Sequence, residues 1–203
     1  GSEMCIRDSY NTISFDVPFA ASDATSGVQH VELYYQKNGG GYVQFGATFT
    51  SSPIAFVAPG EGVYDFYTIG TDNVGNVEVA PPEADCTTEV DLTPPPPPVD
   101  LVALPGHNSV SLSWTVPASL DAPIDGTLLV RRPWSIFAYP EYDDWGAPYG
   151  YPAHQADGFV VAFIPGTGFQ TYEDTGFSDA SRNVHYYTAF TRDSAGNYSV
   201  AAS

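Results

Sequence analysis

Basic residues are almost missing from this chain. Six Lys and Arg stand against twenty-four Asp and Glu, for a formal net charge of −18. Neutralising phosphates needs Lys and Arg, so nucleic acid is excluded as a partner and an anionic membrane surface is disfavoured. The acids are spread over both halves rather than gathered into a tail, which marks a solvated acidic surface. Solubility accounts for that surface, and salt tolerance or attraction of divalent cations is compatible with it. Methionine occurs once, Lys and Glu are scarce, and no window sustains apolar residues at i, i+3 and i+4. Helix content should therefore be very low. No apolar run is long enough to insert in a membrane. The N-terminus has no basic region followed by an apolar one, so the chain reads as an internal piece of a longer protein. Cys5 and Cys86 are the only cysteines, too few for a disulfide framework.

What the chain does have is Gly, Pro, Thr, Ser, Val and Tyr, the residues of strands and turns. It also repeats itself. Tyr67 to Asn76 reads YTIGTDNVGN and Tyr187 to Asn197 reads YTAFTRDSAGN. Two copies one domain-length apart imply two related all-β modules in tandem. The expected fold is a pair of tandem β-sandwiches joined by a polyproline linker. Residues 10–92 form the first module, 93–98 the linker and 99–203 the second module. Residues 93–98 read TPPPPP, a run that favours an extended spacer rising about 3.1 Å per residue. The first nine residues, GSEMCIRDS, fit no strand pattern and resemble a translated adapter string, so they are read as a non-native tail.

Within the first module, Ile13, Phe15, Val17 and Phe19 alternate with polar residues as one strand. Val31, Leu33 and Tyr35 form the next, and Asn38 to Gly41 is a hairpin turn into Tyr42 to Phe45. Ile54 to Val57 and Gly62 to Asp72 follow, with Tyr64 and Phe66 on one face. Val77 to Val90 is expected as an edge-like last strand, interrupted by Pro81 and Pro82. In the second module Val110, Leu112, Trp114 and Val116 alternate, which points Trp114 into the core. Strands are expected at Thr127 to Arg132, Gly158 to Ile164, Gln170 to Glu173 and Val184 to Arg192, and a last one starts at Tyr198 to Ala201. From Pro133 to Asp157 the alternation fails and the chain becomes Pro-rich and crowded with aromatics.

The run from Gly62 to Pro95 resembles the C-terminal half of bacterial immunoglobulin-like modules of large secreted or surface proteins. VSLSW around Trp114 and YYTAFTRDSAGNYS at Tyr186 to Ser199 resemble a fibronectin type III domain. In that family a strand-B Trp fills the core and an aromatic on the penultimate strand anchors the corner, positions matched here by Trp114 and Tyr187. The resemblance implies an extracellular or cell-surface setting and a spacer, adhesion or accessory role beside flanking domains of the parent chain. Such motifs specify fold far better than function. The departure is residues 133–157, where ordinary type III domains have a short connection.

Asp72 and Gly75, and likewise Asp193 and Gly196, belong to the repeated turn. Calcium wants about six to eight oxygens, more than a short turn supplies. The structural reading is that Asp accepts turn amides while Gly or Asn takes positive φ. Trp134, Tyr139, Tyr142, Trp145, Tyr149 and Tyr151 are the candidate ligand-binding residues, with Glu141, Asp143 and Asp144 among them. They would serve a protein or polysaccharide surface, or fold back over their own module as a satellite cluster. Catalysis finds little support. The four His are scattered, no nucleophile elbow or phosphate loop occurs, and one surface loop scaffolds a Glu141/Asp144 glycosidase pair poorly. No cofactor or metal is expected, and the function read from the sequence is a non-catalytic extracellular module.

Overall fold

The computed structural model describes residues 2–4, 9–119, 122–133, 150–175, 177 and 184–203. It is all-β. The chain divides into two compact units, Gly1–Leu92 and Thr93–Ser203.

In the first unit the strands are β1 (Ser2–Met4), β2 (Ser9–Tyr10), β3 (Ser14–Val17), β4 (Phe19–Ala21), β5 (Val28–Lys37), β6 (Val43–Phe49), β7 (Ile54–Val57), β8 (Gly62–Asp72) and β9 (Cys86–Val90). The main sheet has the order β2-β9-β8-β5-β6, and β3 pairs with β7 in a second sheet. Alternation places Phe15, Val17, Leu33, Ile54, Phe56, Tyr64, Phe66 and Val90 in one buried cluster. Its packing is aromatic: Phe56 meets Phe66 edge-on at 4.9 Å, a geometry that suits the ring quadrupole, and Phe15 at a tilt at 5.3 Å. Cys86 packs half-buried against this cluster.

Several expectations need correction. The strand expected from Ile13 to Phe19 is two, because Pro18 lacks an amide to donate and separates β3 from β4. The strand expected over Val77 to Val90 is confined to Cys86–Val90, with Val77 making an isolated bridge to Thr71. It is not an edge either, since Ser9 and Tyr10 pair in parallel with Glu89 and Val90 outside it. Residues 1–9 were expected to carry no strand, yet Ser2–Met4 pairs with Phe19–Ala21. Backbone pairing asks little of side-chain pattern over three residues, which is why the sequence concealed it.

In the second unit the strands are β10 (Val99–Pro105), β11 (Val110–Val116), β12 (Ile124–Pro133), β13 (Phe159–Pro165), β14 (Gly168–Asp174) and β15 (His185–Asp193). They form two sheets, β10-β11-β14 and β13-β12-β15. The final strand expected from Tyr198 appears only as bridges, Arg192 with Tyr198 and Ala189 with Ala202. Between the sheets lie Leu112, Trp114, Val116, Leu129, Tyr187 and Ala189. Trp114 is fully buried, and its indole Nε1–H donates to Thr127 Oγ1 at 3.0 Å, so a polar atom of the largest core side chain is satisfied across the two sheets. In the proline run, Pro95 and Pro98 are buried, at the three-residue spacing that puts side chains on one face of a polyproline helix.

Replacing Trp114 with Ala removes that packing and orphans the Thr127 hydroxyl. Urea unfolding followed through second-unit amide signals should show a loss of about 3–5 kcal/mol. The Trp114→Phe variant should lose less, since it keeps most of the ring volume. An unchanged midpoint in Trp114→Ala would contradict this placement.

Candidate functional site

The two copies of the repeated turn have one architecture. Each links its unit's long strand, β8 or β15, to the segment that bridges back on it. Asp72 Oδ1 accepts from the amides of Val74 at 2.9 Å and Asn76 at 2.8 Å, and its Oδ2 accepts from Asn76 Nδ2 at 2.7 Å. Asp193 Oδ1 accepts from the amides of Gly196 and Asn197, both at 2.8 Å, and Oδ2 from Asn197 Nδ2 at 3.0 Å. The backbone closes each turn from Asp72 N to Asn76 O and from Asp193 N to Asn197 O. Gly75 and Gly196 sit at φ 90° and 100°, where an L side chain would be strained. These carboxylates are occupied by the turn itself.

The first turn has one further partner. Ser26 Oγ lies 2.8 Å from Asp72 Oδ2 and 2.7 Å from Asp23 Oδ2, so one hydroxyl proton serves two carboxylates in alternation. Beside it runs a groove of about 490 Å³ lined in part by Asp23, Thr25, Asp72, Asn76 and Glu78. Asp23 Oδ1 accepts from Thr25 N at 2.7 Å and Glu78 Oε2 from Gly70 N at 3.0 Å. Among the described residues no group of three or more His, Cys, Asp and Glu is arranged to hold a metal ion. For Asp72, desolvation pushes the carboxyl up, but bonds from the Asn76 side chain and backbone, Ser26 and Val74 outweigh it and hold the pKa at about 2.

In the second unit a charged tie closes the corner between β14 and β15. Asp174 Oδ2 accepts from Arg131 at 2.7 Å and from the Tyr187 hydroxyl at 2.8 Å. Burial first, then the Asp174 hydrogen bond and charge, push the Tyr187 phenol well above its ordinary range. It remains a donor. The Arg131 guanidinium also lies 4.6 Å from the Phe177 ring centroid, and His185 packs against the same Phe177 ring at 4.8 Å. Burial, then the Arg131 charge, lower the His185 pKa, with Asp174 opposing.

Trp134, Tyr139, Tyr142, Trp145 and Tyr149, with Glu141, Asp143 and Asp144, lie outside the described residues. Tyr151 is 54% exposed and packs edge-on against Tyr186 at 5.2 Å. Downstream, the buried Asp157 carboxylate accepts from the amides of Ala153 and His154 and shapes the return to β13. Sequence reasoning passed over another aromatic group. Tyr34 stacks on Tyr67 at 5.0 Å and Tyr42 approaches Tyr67 at 4.6 Å, on the outer face of the first unit's main sheet. The signal was present as the opposite parity of the same strands: Glu32, Tyr34 and Gln36 alternate with Val31, Leu33 and Tyr35.

A folded pKa of about 2 lies below the unfolded value of about 3.9, so Asp72 stabilises the fold above pH 3.9 and ceases to as pH falls through 2. Acid-titrated melts should show the wild-type Tm falling across that window. Asp72→Ala should start lower and fall less steeply. Calcium or chelator should leave the wild-type melt at neutral pH unmoved, since the turn oxygens already hold amide protons; a calcium-dependent rise would overturn that reading.

No family model matches the chain, and no curated protein matches it. Among solved structures, it is similar to the FN1–FN3 domains of chicken CNTN1, with 10% identity, a TM-score of 0.56 and coverage of 96% of this chain. The match takes in 59% of the CNTN1 chain, so this chain spans about three-fifths of its length. A cytokine receptor complex aligns over 100% of this chain and 94% of its own at 12% identity, but with a TM-score of 0.32 that likeness goes no further. At such identity the CNTN1 likeness is one of fold, and the chain has the fibronectin type III or immunoglobulin-like β-sandwich fold.

Proposed function

We propose that this chain is a non-catalytic, extracellular or cell-surface module of a larger multidomain bacterial protein, acting as a spacer or adhesion segment. The observation that carries the reading is where four of its buried or half-buried carboxylates are spent. Asp72 and Asp193 organise turns, Asp174 ties Arg131 to Tyr187, and Asp157 holds a loop. Such groups build a scaffold rather than converge on a reacting atom. The proline run at 93–98, which would act as a stiff spacer, and the sandwich fold support the same role. No helix among the described residues is long and apolar enough to cross a membrane.

A second reading, a glycan- or polymer-binding accessory module using residues 133–157, is favoured by the exposed Tyr151 ring beside Tyr186. Two assays test these readings. The purified chain, incubated with chromogenic glycosides and esters, should give no turnover above blank in either wild type or Glu141→Gln. Turnover abolished by Glu141→Gln would sink the non-catalytic reading. In pull-downs on insoluble polysaccharides, retention lost in both Trp145→Ala and Tyr151→Ala would promote the accessory-module reading over the spacer, whereas equal wild-type and variant behaviour would retire it.

A further inference from the structure

The outer face of the sheet β2-β9-β8-β5-β6 differs from the matching face of the second unit. There, Leu128, Val130 and Phe190 form a buried cluster with Phe163 and Tyr198 against it. In the first unit the corresponding face carries Tyr34 and Tyr42, each in contact with Tyr67, flanked by carboxylates. Tyr34 and Tyr67 are directly opposite in the β5–β8 register, and Gln36 faces Asp65 one row along. Asp65 accepts from Gln36 Nε2 at 2.7 Å and Thr87 Oγ1 at 2.6 Å, and the Tyr34 hydroxyl donates to Glu32 Oε2 at 3.2 Å. Gln44 donates to the other Glu32 oxygen at 3.2 Å. These bonds hold the side chains upright as a prearranged surface, which lowers the ordering cost of binding.

From this geometry we infer that the tyrosine face of the first unit docks a protein segment rich in Arg and Lys. It rests on the adhesion part of the function proposed above and names the chemistry of the partner. Charge selects the occupant. The outward positions of β5, β8 and β9 include Glu32, Asp65 and Glu89, with His30 at one end and no Lys or Arg. A second copy of this chain, at −18, would meet like charge. Sugar rings need open aromatic faces, but Tyr34 and Tyr67 are stacked with 12° between planes and turn those faces to each other. What remains outward is hydroxyls, ring edges and the 36% exposed Tyr42, the amphipathic contacts that protein partners use. Desolvation first, then neighbouring acids, raise the Tyr34 and Tyr42 phenols, so both keep their protons as donors. Guanidinium groups would pair with Glu32 and Asp65 and pack against the exposed Tyr42 ring.

The test uses the full chain and three probes: an alternating Arg-Ser peptide, its Glu-Ser counterpart and a cello-oligosaccharide, followed by amide NMR. The Arg-Ser peptide should move the amides of Tyr34, Asp65 and Tyr67, and its affinity should fall with added salt. Tyr67→Ala and Asp65→Asn should each weaken binding about tenfold, ~1.4 kcal/mol. Glu173→Gln, an exposed acid on the second unit, should leave binding unchanged. Asp65→Asn keeps the side-chain shape, so it reports on charge even if Tyr67→Ala perturbs the sheet. Shifts spread evenly over both units, full affinity in Asp65→Asn, or a response of this face to the oligosaccharide and not the peptide would overturn the inference. None of those outcomes bears on the absence of turnover, which the glycoside and ester assay decides separately.

Discussion

An aspartate that collects the amide protons of its own turn is the constraint from which much of each unit follows. Asp72 and Asp193 each gather two backbone amides and an Asn side chain, and so close the end of the longest strand pairing in their units. Closing the turn sets which residue of the strand faces inward, because a slip of one residue moves every side chain to the other face. Counted back six residues from each Asp, Phe66 and Tyr187 occupy equivalent places, and both are core residues. Matching the letters of the repeat instead would pair Tyr67 with Tyr187, one of which lies on the outer face and one inside. The turn is therefore the true reference point, and the extra residue of the second copy lies between tyrosine and aspartate.

With that register set, the two units fill their interiors differently. The first uses a cluster of Phe and Tyr rings meeting edge-on and tilted, with Tyr64 reaching the Gly60 carbonyl at 2.5 Å. The second uses one indole whose N–H must be answered, and Thr127 answers it. Its strands β12 and β15 are buried on both faces, so their sequence loses the alternation that the first unit keeps. The first unit keeps a polar outer face, and a surface rich in Tyr and carboxylate becomes available there.

Much of the fold was legible because strand alternation is a local property. Phe15, Val17, Leu33, Phe66, Leu112 and Trp114 announce their inward side by spacing alone. The misreadings come where pairing overrides pattern. Ser2–Met4 joins a sheet through backbone bonds, and Val99–Pro105 is a largely exposed edge strand with little alternation to read. Cys86–Val90 became an inner strand because Ser9 and Tyr10, far off in sequence, pair beside it. The candidate site was harder. The aromatic stretch from Pro133 to Asp157 drew notice through composition, whereas Tyr34 on β5, Tyr42 just before β6 and Tyr67 on β8 become neighbours only once the sheet forms.

By itself the sequence determined an all-β chain, its acidic surface and the two aspartate turns, since propensity, charge and short-range hydrogen bonding act within a few residues. Tertiary structure decided the rest. It chose which strands became neighbours, joined Arg131, Asp174 and Tyr187 at one corner, and gathered three separate tyrosines beside Glu32 and Asp65. Those outcomes depend on long-range pairing and register, which no local window contains.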